Sequence, residues 1–128
     1  MGSLAPQFSS KPTAVAGKTL DHILSEEGIE HVDLLKVDVE GFEFHVFQGA
    51  RKLLTSEKPP LIAFEFCDWA EARVPQGKAG NAQQLLREWG YEIWRLSDYV
   101  RRGRPLREAL ISGFEMLVGI KNSKENRK

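Results

Sequence analysis

The sequence predicts an α/β fold, with helices packed on a mixed sheet, from three observations. An apolar run at residues 34–37, "LLKV", is followed by an amphipathic stretch and then by a second apolar run, "LIAFEF", at 61–66. The spacing of apolar side chains changes at Gly41 from alternation to a helical stripe. The intervening helix excludes a tight hairpin between the two runs, so they pair in parallel through a right-handed crossover.

The elements follow in chain order. Residues 1–18 mix Gly, Ser, Pro, Ala and Lys without periodicity and read as a flexible leader, in part an expression remnant. Order begins near Thr19, an N-cap for a short helix with Leu20, Ile23 and Leu24 on one face and Gly28 as its left-handed stop. The opening strand has no two-face alternation at its start, as expected of a strand covered on both sides. Phe42, Val46, Phe47, Ala50, Leu53 and Leu54 form one helical stripe, which Pro59 and Pro60 end. Gly41 permits a tight strand-to-helix turn, and Gly49 inside the helix suggests close approach to the sheet.

Residues 68–80 read as a long loop and a candidate lid. Asn81 caps a helix bearing Ala82, Leu85, Leu86 and Trp89 on one face and ending at Gly90. "YEIWRL" is a third strand, and residues 97–113 are a long connection with room for a helical turn. "FEMLVGI" is a fourth, with Phe114, Met116, Val118 and Ile120 alternating. One α/β domain over 19–121 is expected, followed by a polar tail at 122–128.

Composition narrows the function classes. A chain of 128 residues fits one domain with one core. Lys and Arg balance Asp and Glu at 18 each, so no global field draws nucleic acid or a membrane surface. Cys67 is the one cysteine, which removes an intrachain disulfide and a multi-cysteine metal site and fits a reducing compartment. His22, His31 and His45 lack ligand-like spacing, so no metal is expected. No apolar segment approaches the ~20 residues of a membrane span. A soluble cytoplasmic protein is the expectation.

Lys36, Asp38 and Glu40 stand at alternate positions where the first strand ends, which places them on one face. Ionised groups are rarely buried unpaired, so they sit at a solvated strand end or hold something there. For the carboxylates the alternative is structural: Asp38, Glu40 or Glu43 accepting hydrogen bonds at the following helix start. Glu65 on the second strand needs a partner if buried, with Lys36 on the neighbouring strand the candidate. Trp69 follows that strand and is a candidate ligand contact; Trp89 and Trp94 read as anchors. Arg101, Arg102, Arg104 and Arg107 read as a solvated loop, with an anion-binding patch as the alternative.

"TLD", "DLLKVDVEGFE", "QGARKLL", the Pro-preceded "LIAFEF", "WGY" and the final strand together resemble the C-terminal half of the FkbM family of S-adenosylmethionine-dependent methyltransferases. The resemblance spans roughly residues 15–120, and its most specific part is K-V-D-V-E-G-F-E followed by G-A. It implies a partial Rossmann-like methyltransferase fold with three layers. The sheet strands then correspond to the family's fourth, fifth, seventh and sixth in that order, the last in sequence antiparallel. The family's first three strands, with the glycine-rich turn and the acidic residue that grip the cofactor, have no counterpart. The crevice lies where strand order reverses, so this chain keeps one of its walls.

The resemblance implies Asp38 and Glu40 as catalytic carboxylates beside a methyl acceptor, with Lys36, Gly41, Glu65 and Trp69 as substrate or supporting residues and S-adenosylmethionine as cofactor. The acceptor would be a hydroxyl or amine of a small molecule or sugar. A truncated, non-catalytic interaction or ligand-binding module is the alternative. Losing three strands would leave residues 34–39 as an apolar sheet edge. A homodimer through that edge is expected, or else a partner chain or the leader segment "PTAVA" covering it.

Overall fold

The computed structural model of the chain describes residues 17–121, so the leader up to residue 16, with "PTAVA", and the 122–128 tail lie outside the described residues. Four strands form one open mixed sheet: β1 (Leu34–Val37), β2 (Leu61–Cys67), β3 (Glu92–Arg95) and β4 (Phe114–Ile120), in the order β1-β2-β4-β3. β1 and β2 are parallel, with Val37 opposite Phe64, and β4 runs antiparallel to both β2 and β3. That order and direction are those expected from the sequence.

α1 (Leu20–Glu26) begins where expected: the Thr19 hydroxyl accepts from His22 N–H at 3.1 Å, and Gly28 is left-handed at φ 67°. The stripe after Gly41 folds as two short helices, α2 (Glu43–Gln48) and α3 (Arg51–Leu54), and not as one. The break has a local cause. A Cβ on Gly49 would lie 3.1 Å from the Thr19 side chain, and the Gly49 carbonyl accepts from Asp21 N–H at 2.9 Å, so Gly49 approaches the start of α1 and not the sheet. Asp21 in turn accepts from the Lys52 and Leu53 N–H groups at 2.8 and 3.1 Å, satisfying the start of α3.

Residues 68–80, expected as a loop, contain α4 (Asp68–Arg73). α5 (Asn81–Glu88) is preceded by Gly80 in the left-handed region, so Asn81 is inside the helix and not its cap. The strand expected at 91–96 ends at Arg95, and α6 (Leu96–Val100) starts at once.

Val37, Phe47, Leu54, Ile62, Phe64, Phe66, Leu86, Ile93 and Leu117 bury together, so α2, α3 and α5 cover one face of the sheet. Each such side chain contributes roughly 1.5–3 kcal/mol on burial. Tyr91 closes this core: its hydroxyl donates to the Pro60 carbonyl at 3.0 Å, and burial pushes the phenol's pKa up. On the opposite face α6 stacks Tyr99 edge-on against Trp94 with ring centres 5.9 Å apart. Helices therefore lie on both faces, unequally.

One expectation about the strands changes. β1 is covered on one face only: Val37 is buried while Leu34 is 57% exposed. In β4 both Leu117 and Val118 are buried, and Phe114 at its start is 76% exposed.

Candidate functional site

β1 ends at Val37, and the next residues turn sharply into α2. Glu40 has φ 49° and Gly41 φ 103°. The strand alternation therefore does not extend to Glu40, which does not share a strand face with Lys36. A Cβ on Gly41 would stand 2.3 Å from the Ala70 carbonyl oxygen, so the backbone of the turn touches the backbone of α4. Only glycine satisfies both the angle and the contact.

The group that holds this turn is Glu43. Its carboxylate accepts from Val39 N–H and Gly41 N–H, each at 3.0 Å, and the residue is 2% exposed. Burial pushes its carboxyl above the usual range; the two N–H groups work against that rise, and the negative charge of Asp38 adds to it. On the other side of the contact Glu71 of α4 is also 2% exposed and accepts from Gly80 N–H at 2.7 Å at the start of α5. Burial pushes its carboxyl up to about 7; the N–H groups of Gly80 and Ala82 oppose the shift and the charge of Glu43 adds to it. Glu43 and Glu71 are thus two buried carboxyls within each other's field.

Of the six residues singled out from the sequence, Gly41 lies in this contact and the other five lie outside it. Lys36 is exposed on the outer face of β1, opposite Ala63. Asp38 is exposed and, among the described residues, makes no hydrogen bond or ion pair. The β1 and β2 ladder ends at Val37 opposite Phe64, one step short of Asp38 and Glu65, so these two carboxylates leave neighbouring strands at the same level. Glu65 is half-buried opposite Met116, and no ion pair joins it to Lys36 among the described residues. Glu40 is exposed.

Trp69 is 61% exposed on α4, with the Arg73 guanidinium 4.6 Å from its ring centre. Its neighbour Asp68 accepts from Gly113 N–H at 2.8 Å and ties the start of α4 to β4. The arrangement brings Lys36, Asp38 and Glu65 to one end and one face of the parallel pair, with Trp69 just beyond β2. Gly41 belongs to the contact beneath.

A cleft of about 340 Å³ lies between α1 and α3, lined by Asp21, Leu24, Ile29 and Lys52, and none of the candidate residues reaches it. The Asp21 carboxylate in it is already engaged by α3. The arginine-rich stretch is exposed, and Arg87 anchors its end through the carbonyls of Leu106 and Arg107 at 3.1 and 2.7 Å. Among the described residues no His, Cys, Asp and Glu group of three or more could hold a metal, and no helix is long and apolar enough to cross a membrane.

Sequence reasoning left Glu43 open between a site carboxylate and a helix-start acceptor and missed Glu71. A signal for Glu43 existed: it lies four residues before Phe47 and seven before Ala50, on the stripe that faces the core. Glu71 had none, because its segment reads as loop.

The layout is that of an open α/β sheet with an acidic, solvent-facing end on its parallel strands, where such sheets hold small ligands. The chain belongs to the methyltransferase FkbM domain family, whose profile matches residues 2–93. It is also 31% identical over 86 residues, 67% of its length, to the AMB antimetabolite synthetase AmbE of Pseudomonas aeruginosa, and spans 4% of that protein. No solved structure matches the chain.

The family implies S-adenosylmethionine, and neither Gly41 nor Gly77 offers an open cradle for it. A Cβ on Gly41 would meet the Ala70 oxygen at 2.3 Å, and one on Gly77 the Glu71 oxygen at 2.0 Å, so both are filled by the chain's own backbone.

Proposed function

We propose that this chain forms the acceptor-side wall of an FkbM-type methyltransferase site, with a hydroxyl or amine of a small molecule or sugar as the methyl acceptor. The observation that carries the reading is the division of labour among the acids. Glu43 takes over the backbone of the turn, which leaves the Asp38 side chain solvent-facing at the carboxyl end of β1, without a hydrogen bond or ion pair among the described residues. A carboxylate so placed can accept a hydrogen bond from an acceptor O–H or N–H and orient it. Glu40 stands beside it on the turn, Lys36 and Glu65 set the local charge, and Trp69 offers a flat apolar surface at the rim. The name of the synthetase relative supports a biosynthetic intermediate as acceptor.

The rest of the cofactor site comes, in this reading, from a second copy or a partner chain along β1. Support for that is its terminal place in the sheet and its exposed Leu34. A second reading, a ligand-binding or interaction module without catalysis, is favoured by the filled glycines at Gly41 and Gly77.

Calorimetric titration with S-adenosylmethionine, with oligomeric state recorded in the same buffer, separates the two. Saturable binding with Kd below about 1 mM, a free energy beyond roughly −4 kcal/mol, supports the methyltransferase. Absence of binding in every oligomeric state leaves the module.

A further inference from the structure

Two buried carboxyls without an ion pair among the described residues are an unusual core component, and their placement gives them a task. Glu43 is bonded to the turn after β1 and Glu71 to the turn before α5, and the backbone of α4 is wedged between those turns. The wedge is tight on both sides, with no room for a Cβ at Gly41 against Ala70 or at Gly77 against Glu71 and Val74. Gly77 N–H also donates to the Val74 carbonyl at 2.6 Å. Any repulsion between the two carboxylates therefore acts across a seam that joins three segments.

The charges around the pair are all of one sign. From the turn after β1, Asp38 raises the field at Glu43; from α2, Glu43 raises the field at Glu71. The first turn of α5, residues 81–84, carries Asn, Ala, Gln and Gln and brings no charge. No Lys, Arg or His makes an ion pair with either carboxylate among the described residues. Neutralisation must then come from a proton.

We infer that Glu43 and Glu71 form a proton-gated latch: a proton held by the pair keeps the turn after β1, α4 and the turn before α5 packed together, and its loss loosens that seam. The consequence for ligand binding rests on the methyltransferase reading, because Asp38 and Glu40 stand on the turn the latch holds. The latch itself does not.

The direction in pH follows from linkage. Glu71 binds its proton more tightly in the folded chain than an unfolded glutamate does, so its contribution to stability is fully present below the ordinary carboxylate range. It is lost as pH rises through about 7. Glu43, shifted in the same direction, adds to the loss.

The test is thermal unfolding of the wild type and Glu71→Gln between about pH 5 and 8. The amide keeps an acceptor for Gly80 N–H and cannot ionise. The wild-type Tm should fall by on the order of 10 °C across that range, while Glu71→Gln falls clearly less, by the share that Glu43 contributes, and overtakes the wild type at the alkaline end. Parallel curves overturn the latch. An infrared spectrum of the wild type keeps the proposal exposed should the variant not fold: a protonated-carboxyl band at acidic pH must disappear as pH rises, and its absence at about pH 5.5 overturns the latch equally. Neither measurement uses S-adenosylmethionine, so a failed latch leaves the methyltransferase reading standing, and a failed titration leaves the latch.

Discussion

Asp38 and Glu43 stand five residues apart on either side of one glycine, and the fold uses them in opposite ways. Glu43 is buried, doubly bonded to backbone and within the field of a second buried acid; the Asp38 side chain is exposed and makes no hydrogen bond or ion pair among the described residues. The comparison teaches that an acidic motif at a strand end is two devices in one. The inner carboxylate builds the turn, which frees the outer one to meet a ligand. Had Asp38 been the turn's acceptor, the structural account of the motif would have sufficed.

The largest effect should come from the hinge of this arrangement. Gly41→Ala puts a methyl against the Ala70 oxygen at a positive φ, and should destabilise the fold by roughly 4 kcal/mol from clash and strain together. Urea unfolding reads this directly; a loss under about 1 kcal/mol would mean that the turn and α4 separate easily. Next, Glu43→Ala leaves the Val39 and Gly41 N–H groups without acceptors in a buried setting and should cost about 2–3 kcal/mol. A neutral outcome would blur the distinction between inner and outer acids.

Asp38→Asn should then do the reverse of Glu43→Ala. Its stability should stay within about 0.5 kcal/mol of wild type, while acceptor methylation by the assembled enzyme falls by about 10²-fold or more. Loss of stability with activity retained would return Asp38 to the scaffold. The smallest change is expected for Lys36→Ala, an exposed residue with no ion pair among the described residues, at about 0.5 kcal/mol or less in stability.

Much of the fold was legible because its signals are local. The apolar runs at 34–37 and 61–66, the change of period at Gly41 and the cap at Thr19 each depend on residues within a few positions of one another. What failed depends on contacts distant in sequence. Gly49 looked like a helix-to-sheet glycine because nothing nearby reveals that Thr19 and Asp21 come to meet it. Asn81 looked like a cap, yet the left-handed Gly80 takes the position before the helix and hands its N–H to Glu71. The regular alternation of 114, 116, 118 and 120 left Leu117 unremarked, though it packs into the core from between them.

The candidate site was legible to a similar degree. Lys36 and Asp38 could be placed at the strand end from period alone, whereas Glu40 could not, since a positive φ in a non-glycine residue leaves no mark in composition. The ion pair expected between Lys36 and Glu65 does not form: both point outward, where water already solvates the lysine. Glu71 was hidden altogether, because a helix of six residues in a stretch broken by Pro75, Gly77 and Gly80 has no periodic stripe long enough to read.

Backbone amide NMR of the protein during addition of S-adenosylmethionine tests most directly whether the carboxyl end of β1 is a ligand wall. The account predicts saturable shifts at the amides of Asp38, Val39, Glu40 and Gly41 and at Trp69, with the α1 and α3 cleft around Asp21 and Lys52 unmoved. Saturable shifts confined to that cleft, or to the arginine-rich 101–107 stretch, would contradict it.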